Sequence, residues 1–176
     1  KKYPNIKLLN GVQGKGDLYN EKNLQYMIKH FSNSMDIITG DGGFDFSADF
    51  NKQESTAFRL IFTQVIYALV MQKQGGHFVL KIFDIFEECT IDILYLLNTF
   101  YEKVIVIKPN TSRYANSEKY IVCKGFIFNN NSEYYYNIFF TPFNNMLNNK
   151  DKYIHRFLST DLSLFFTSKL QEYNAI

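Results

Sequence analysis

Gly75-Gly76-His77-Phe78-Val79-Leu80-Lys81-Ile82-Phe83 is a dense apolar run broken by one charged residue, Lys81. A dense apolar run of this kind is the pattern of a buried strand in a parallel sheet. Immediately upstream, Gln53 to Lys73 places Phe58, Ile61, Phe62, Val65, Ile66, Leu69 and Val70 at three-four spacing, the core stripe of a long helix. Gly75-Gly76 is expected to end that helix. Before it, Met35-Asp36-Ile37-Ile38-Thr39 reads as a strand stopped by Gly40-Asp41-Gly42-Gly43.

Working outward, Ile91 to Tyr101 reads as a helix, Val104 to Lys108 as a strand closed by Pro109, and Tyr120 to Cys123 as a strand followed by Gly125. Strands alternating with helices imply an α/β domain with a largely parallel sheet. The last two strands are separated by a short stretch without helical pattern, too short for a helical crossover, so the final strand is expected to run antiparallel. Towards the N-terminus, Asn5 to Asn10 is a strand candidate, Gly11 to Gly16 a loop, and Glu21 to His30 a helix behind an Asn20 cap. From Asn129 onward the chain is rich in Asn and Tyr. Asn148-Asn149-Lys150-Asp151 reads as a turn, and Asp161 to Tyr173 as a closing helix with Asp161 near its cap. The expected organisation is an α/β unit over residues 1–128 and a helical or irregular extension over 129–176 packed on it.

With 176 residues, 46% of them hydrophobic, the chain has material for one well-packed core. A net charge of +2 is too small to imply nucleic-acid binding by itself, so any such site must be a local basic patch. Cys89 and Cys123 lack CxxC spacing, which argues against a zinc site or disulfide framework and fits a reducing compartment. No apolar run reaches the roughly 18–20 residues a membrane span requires.

Three residues stand out chemically. Asp41 sits at the carboxyl end of a strand, where ligands of open α/β sheets bind, although Asp-Gly is also a common turn dipeptide. Lys81 lies inside an apolar strand, where an ammonium is costly without a partner; the bland alternative is a lysine that snorkels outward. Glu118 leads into the last strand and, alone, reads as a solvated edge residue.

Taken together, Gly40-Asp41-Gly42-Gly43, then Gly75 to Asp84, then Lys108-Pro109 with Thr111-Ser112-Arg113 and Asn116-Ser117-Glu118-Lys119-Tyr120, resemble the FtsJ-like RNA ribose 2′-O-methyltransferases. The similarity is greatest to the cap-specific branch found in animals and large DNA viruses. It implies a Rossmann-like methyltransferase sheet, S-adenosyl-L-methionine as methyl donor, capped RNA as substrate, and no metal. The family's Lys-Asp-Lys-Glu tetrad carries onto Asp41, Lys81 and Glu118 as its last three members. Asp17 is implied near the donor's adenine, with Asp41 also on the donor side. The first lysine and the glycine-rich donor loop have no match, and the expectation is that they and the first strands lie upstream of Lys1. Gly11 to Gly16 precedes the Asp17 position and does not stand in for that loop.

The chemistry suits these residue types. A ribose hydroxyl must lose its proton as it attacks a sulfonium methyl, and a lysine can take that proton only when its pKa falls toward neutrality. Burial pushes a lysine's pKa down, whereas carboxylates push it up while orienting it. Lys81 is therefore expected to act as base or steering group, with Asp41 and Glu118 as positioning partners. Lys108 and Arg113 are expected to meet RNA phosphates; Lys119 reads as a surface cation, His77 as a core or loop histidine, and Tyr134, Tyr135 and Tyr136 as packing residues. Expected partners are capped RNA and other capping enzymes, without a membrane or DNA specificity. The expected location is cytoplasmic (a viral factory or virion for a viral protein) or nuclear for a cellular cap enzyme. Two other readings are an rRNA 2′-O-methyltransferase and a non-catalytic partner subunit built on the same fold.

Overall fold

The computed structural model describes residues 3–43, 53–113, 116–128, 132–150 and 152–174, excluding the side chains at 132, 133, 135 and 136. The expected roles of Tyr135 and Tyr136, and the Asp151 end of the expected turn, lie outside the described residues. The elements are α1 (Glu21–Phe31), β1 (Met35–Gly40), α2 (Gln53–Met71), β2 (Gln72–Ile82), α3 (Glu88–Phe100), β3 (Tyr101–Ile107), β4 (Lys119–Phe126), α4 (Ser132–Asn148) and α5 (Leu164–Asn174). Asn20 caps α1 as its residue type suggests, its side chain accepting from Lys22 N.

The sheet order is β1-β2-β4-β3. β1 and β2 pair in parallel, and β4 inserts between β2 and β3 antiparallel to both. Three strands therefore run one way and the last runs against them. The short β3–β4 connection permits this because a strand that reverses can slot beside its predecessor without a crossover helix.

α2 and α3 pack against one face of this sheet. That face supplies the core: Phe78, Leu80 and Ile82 of β2 and Ile121 and Cys123 of β4 are buried among Ile61, Val65, Leu69, Ile93 and Leu97 of the helices. The intervening residues Val79, Val122 and Ile105 are partly buried and lie outside that cluster, while Ile37 at the edge is 65% exposed.

Three sequence expectations need correction. Asn5 to Asn10 forms no strand: these residues are exposed, Leu8 to 87%, and among the described residues no neighbouring strand meets their backbone. β propensity makes a strand only where a ladder partner exists. The Gly75-Gly76 pair does not stop α2. The helix ends at Met71 because buried Gln72 donates to the Met35 and Asp36 carbonyls and accepts from Tyr101, which starts β2 at once. The glycines instead form a bulge, with Met35 opposite Gln72 but Ile37 opposite His77. The closing helix starts at Leu164, and Ser163 rather than Asp161 caps it by accepting from Phe166 N.

Two charged residues that sequence periodicity passed over fix the C-terminal segment. Arg59 of α2 donates to the carbonyls of Met146 and Asn149 at the end of α4 and of Lys152 in the segment after it. Asp92 of α3 is fully buried and accepts from Arg156 at 2.9 Å and from the backbone N–H groups of Phe157 and Leu158 at 3.0 and 3.1 Å. This seats Phe157 against Phe58 and Phe62, with ring centroids 6.3 and 4.9 Å apart.

Candidate active site

β1 and β2 run side by side, with Gly40 opposite Leu80, so the next residues, Asp41 and Lys81, emerge together at the carboxyl end of the sheet. Lys81 Nζ lies 2.6 Å from Asp41 Oδ1, with the lysine side chain 18% exposed and the aspartate 68% exposed. The ion pair answers the cost of a lysine in an apolar strand, and it leaves the carboxylate open to solvent on its far side.

Lys81 stands opposite Tyr120 in the β2–β4 register. The Tyr120 hydroxyl donates to Glu118 Oε1 at 2.9 Å. That hydrogen bond, with help from burial and the negative charges of Glu118 and Asp41, pushes the phenol from its ordinary 10.0 up to about 12. Asp41, Lys81, Tyr120 and Glu118 thus form a row across three adjacent strands. Among the described residues Glu118 joins the row through Tyr120, and Asp41 alone forms an ion pair with Lys81. Sequence reading passed over Tyr120, although its place two residues after Glu118, on the same side of β4, is the available signal.

The other expected residues fall elsewhere. Lys108 takes a structural role: its ammonium donates to Asn116 O, to Asn116 Oδ1 at 3.0 Å and to Glu118 O at 3.2 Å. An ammonium has three donors, and these contacts hold the loop before Glu118. Arg113 is exposed, beside that loop. Lys119 pairs with Asp84 at 3.1 Å. His77 is exposed and its Nδ1 accepts from Gly125 N at 3.2 Å, a contact that ties β2 to β4.

Asp17 sits on the approach to α1, exposed, its carboxylate accepting from Tyr19 N at 2.9 Å. Buried Asn23 holds this loop by accepting from Val12 N and donating to the Asp17 carbonyl, both at 2.7 Å. Gly11, at φ +69°, presses so closely on Asn23 that a Cβ would come within 2.3 Å of its Oδ1. Among the described residues no hydrogen bond or ion pair links Asp17 to the row at Lys81.

Both thiols are pushed up to about 12, chiefly by burial, which leaves Cys89 and Cys123 inert as nucleophiles. A cavity of about 520 Å³ opens between α2, α4 and residues 152–157, walled by Phe58, Phe62, Met146 and Phe157; it touches none of the four residues in the row.

The chain is similar to proteins named as cap-specific mRNA (nucleoside-2′-O-)-methyltransferases. Identity is 37% over 112 residues to methyltransferase 2 of Drosophila melanogaster, covering 61% of this chain and 16% of the fly protein. It is 38% over 120 residues to methyltransferase 1 of Mus musculus, covering 65% and 14%. It is 39% over 119 residues to methyltransferase 1 of Trypanosoma brucei brucei, covering 66% and 32%. The chain thus spans a third or less of the length of these relatives. A solved ribosomal RNA methyltransferase of Plasmodium falciparum shares the fold, with TM-score 0.50 and 18% identity over 72% of this chain and 67% of that one. The family profile described as FtsJ-like methyltransferase matches residues 2–126, most of the chain, and the protein belongs to that family.

Proposed function

We propose that this chain is the acceptor-side part of an S-adenosylmethionine-dependent RNA ribose 2′-O-methyltransferase acting on capped mRNA. The observation that carries this reading is the 2.6 Å Lys81–Asp41 pair at the carboxyl end of the sheet, flanked by the Tyr120–Glu118 pair. Lys81 is the group placed to hold or accept the proton of a ribose hydroxyl, and Asp41 orients its ammonium. Glu118 and Tyr120 complete the polar floor on the other side. The exposed face of the Asp41 carboxylate and the exposed Asp17 suit the amine and hydroxyl groups of a nucleoside-type donor, which supplies the methyl group as an electrophile when bound. The relatives named as cap-specific support capped RNA over ribosomal RNA, since they share sequence, whereas the ribosomal enzyme shares the fold.

Exposed Arg113, on the loop before Glu118, is our candidate for an RNA phosphate contact. We read residues 1–128 as the methyltransferase part and 129–176 as an extension anchored on it, a division supported by the Arg59 and Asp92–Arg156 contacts. The buried free thiols suit a reducing cytoplasmic or nuclear location. A composition rich in Asn, Lys, Ile and Tyr supports an A/T-rich genome, such as that of a large DNA virus, as its source.

The test is single-turnover methyl transfer to capped and uncapped RNA of one sequence by the longest native polypeptide carrying this chain. Wild type is expected to prefer the capped RNA. Lys81→Ala should lose on the order of 10²–10⁴ in rate while melting normally, as removal of a general base does. Lys81→Arg should not restore it, because a guanidinium stays protonated. A folded Lys81→Ala variant keeping more than about a tenth of the rate, a barrier change under about 1.4 kcal/mol, would remove Lys81 from the chemistry.

A further inference from the structure

We propose that Gln64 of α2 is a positioning residue of this site, fixing Asp41 against Lys81 by holding the backbone of Gly42; the proposal rests on the methyltransferase reading above. Gln64 is buried in the middle of the apolar stretch of α2. Its Oε1 accepts from Gly42 N–H at 2.9 Å, and its Nε2 donates to the Leu60 carbonyl one turn back at 3.2 Å. Both ends of the amide are thereby engaged, one by its own helix and one by the strand end that carries Asp41.

The glycines around Asp41 show how closely that strand end lies on the helix. A Cβ at Gly40 would stand 3.0 Å from Gln64 Oε1 and 2.9 Å from Leu80 Cδ1. At Gly42 it would stand 3.0 Å from Gln64 Oε1 and 2.8 Å from Leu60 Cδ2. At Gly43 the nearest atom would be Lys81 Nζ, at an ordinary 3.6 Å. Gly40 and Gly42 are therefore pressed onto α2, and alternation turns Asp41, between them, to the opposite side, where Lys81 stands. The Gln64–Gly42 hydrogen bond sets that orientation from beneath the sheet.

A second glutamine supports the same geometry. Gln53 lies eleven residues earlier on α2, about three turns away and on the same side of the helix. Its Oε1 accepts from the Ser117 hydroxyl at 2.9 Å, next to Glu118. One helix thus contacts both segments that flank Lys81.

The experiment uses the longest native polypeptide carrying this chain, with Gln64→Met, which keeps length and loses the acceptor, and Gln64→Glu, which keeps an acceptor oxygen. Each is made in the wild-type and Asp41→Asn backgrounds. Gln64→Met should lower the single-turnover rate by roughly 10–10²-fold, the scale of a small misplacement of a reacting group, with little change in the KM for RNA. Gln64→Glu should recover most of that loss. In the Asp41→Asn background Gln64→Met should have almost no further effect, because residues acting through one group are not additive. Equal losses in both backgrounds, or a wild-type rate for Gln64→Met, would overturn the proposal. Hydrogen exchange at the Gly42 amide reports the clamp without catalysis. It should be slow in wild type and Gln64→Glu and fast in Gln64→Met. Unchanged exchange in Gln64→Met overturns the clamp. A protected Gly42 amide in a wild-type protein that transfers no methyl group strikes the functional reading and leaves the clamp standing.

Discussion

Phe78, Leu80 and Ile82 leave β2 towards α2 and α3 and are sealed from water, while Val79 and Lys81, their neighbours in the chain, leave it on the other side and keep part of their surface exposed. The same contrast runs across β4, where Ile121 and Cys123 are buried and Tyr120 and Val122 are not. One face is a core and the other carries the row of polar residues. The covered face packs on α2 and α3, and α2 also meets Gly42 and Ser117 through Gln64 and Gln53. The open face lines up Asp41, Lys81, Tyr120 and Glu118 where a substrate can approach. At its opposite end, exposed Lys103 and Lys124 stand directly opposite each other on β3 and β4.

The difference is sharpest at two adjacent residues. Leu80→Ala removes a fully buried side chain and should cost about 2–5 kcal/mol in urea unfolding. Val79→Ala should cost less than about 1.5 kcal/mol, because its side chain is only partly removed from water. A Val79 variant that costs as much as the Leu80 variant would mean that the second face is covered in solution, and the two-face comparison would break.

A smaller effect tests whether the open-face row is coupled. The Tyr120 phenol is raised to about 12, first by its hydrogen bond to Glu118. A raised pKa favours the protonated phenol in the folded state. That contribution is complete below the ordinary 10.0 and is lost as pH rises through about 12. Glu118→Gln should move the Tyr120 titration back towards the ordinary value, followed by NMR of ring-labelled tyrosine. A Tyr120 titration indifferent to Glu118 would separate the two residues.

The smallest expected change lies at the far end of this face. Lys103 and Lys124 are like charges directly opposed on neighbouring strands. Lys103→Glu turns that repulsion into attraction and should stabilise the fold by about 0.2–1 kcal/mol at low salt, fading as salt is added. Thermal melts at two ionic strengths measure it, and a destabilised Lys103→Glu protein would mean that the cation serves another contact.

Much of this layout is legible in the sequence because the signals are local. The apolar stripe of α2, the Lys81 run and the Gly-flanked Asp41 each fix an element and its polarity, and alternation then puts Asp41 and Lys81 at one end of adjacent strands. Reading failed where a residue's role depends on a distant partner. Asn5 to Asn10 has the composition of a strand and forms none, because a strand is made by its neighbour. The loop contacts of Lys108 with Asn116 and Glu118 are likewise invisible in the sequence.

What the sequence by itself determined is the α/β order, the reversed final strand, and the residue types gathered at the carboxyl end of the sheet, because hydrophobic period and turn chemistry act over a few residues. Only the tertiary structure decided which buried and half-buried polar groups hold these parts in place. Gln64 under Gly42, Gln72 between β1 and β3, Arg59 at the end of α4 and Asp92 beneath Arg156 are each separated from these partners by 22 to 93 residues. A buried polar group must find its hydrogen-bond partner wherever the fold brings one, and sequence spacing carries no record of that meeting.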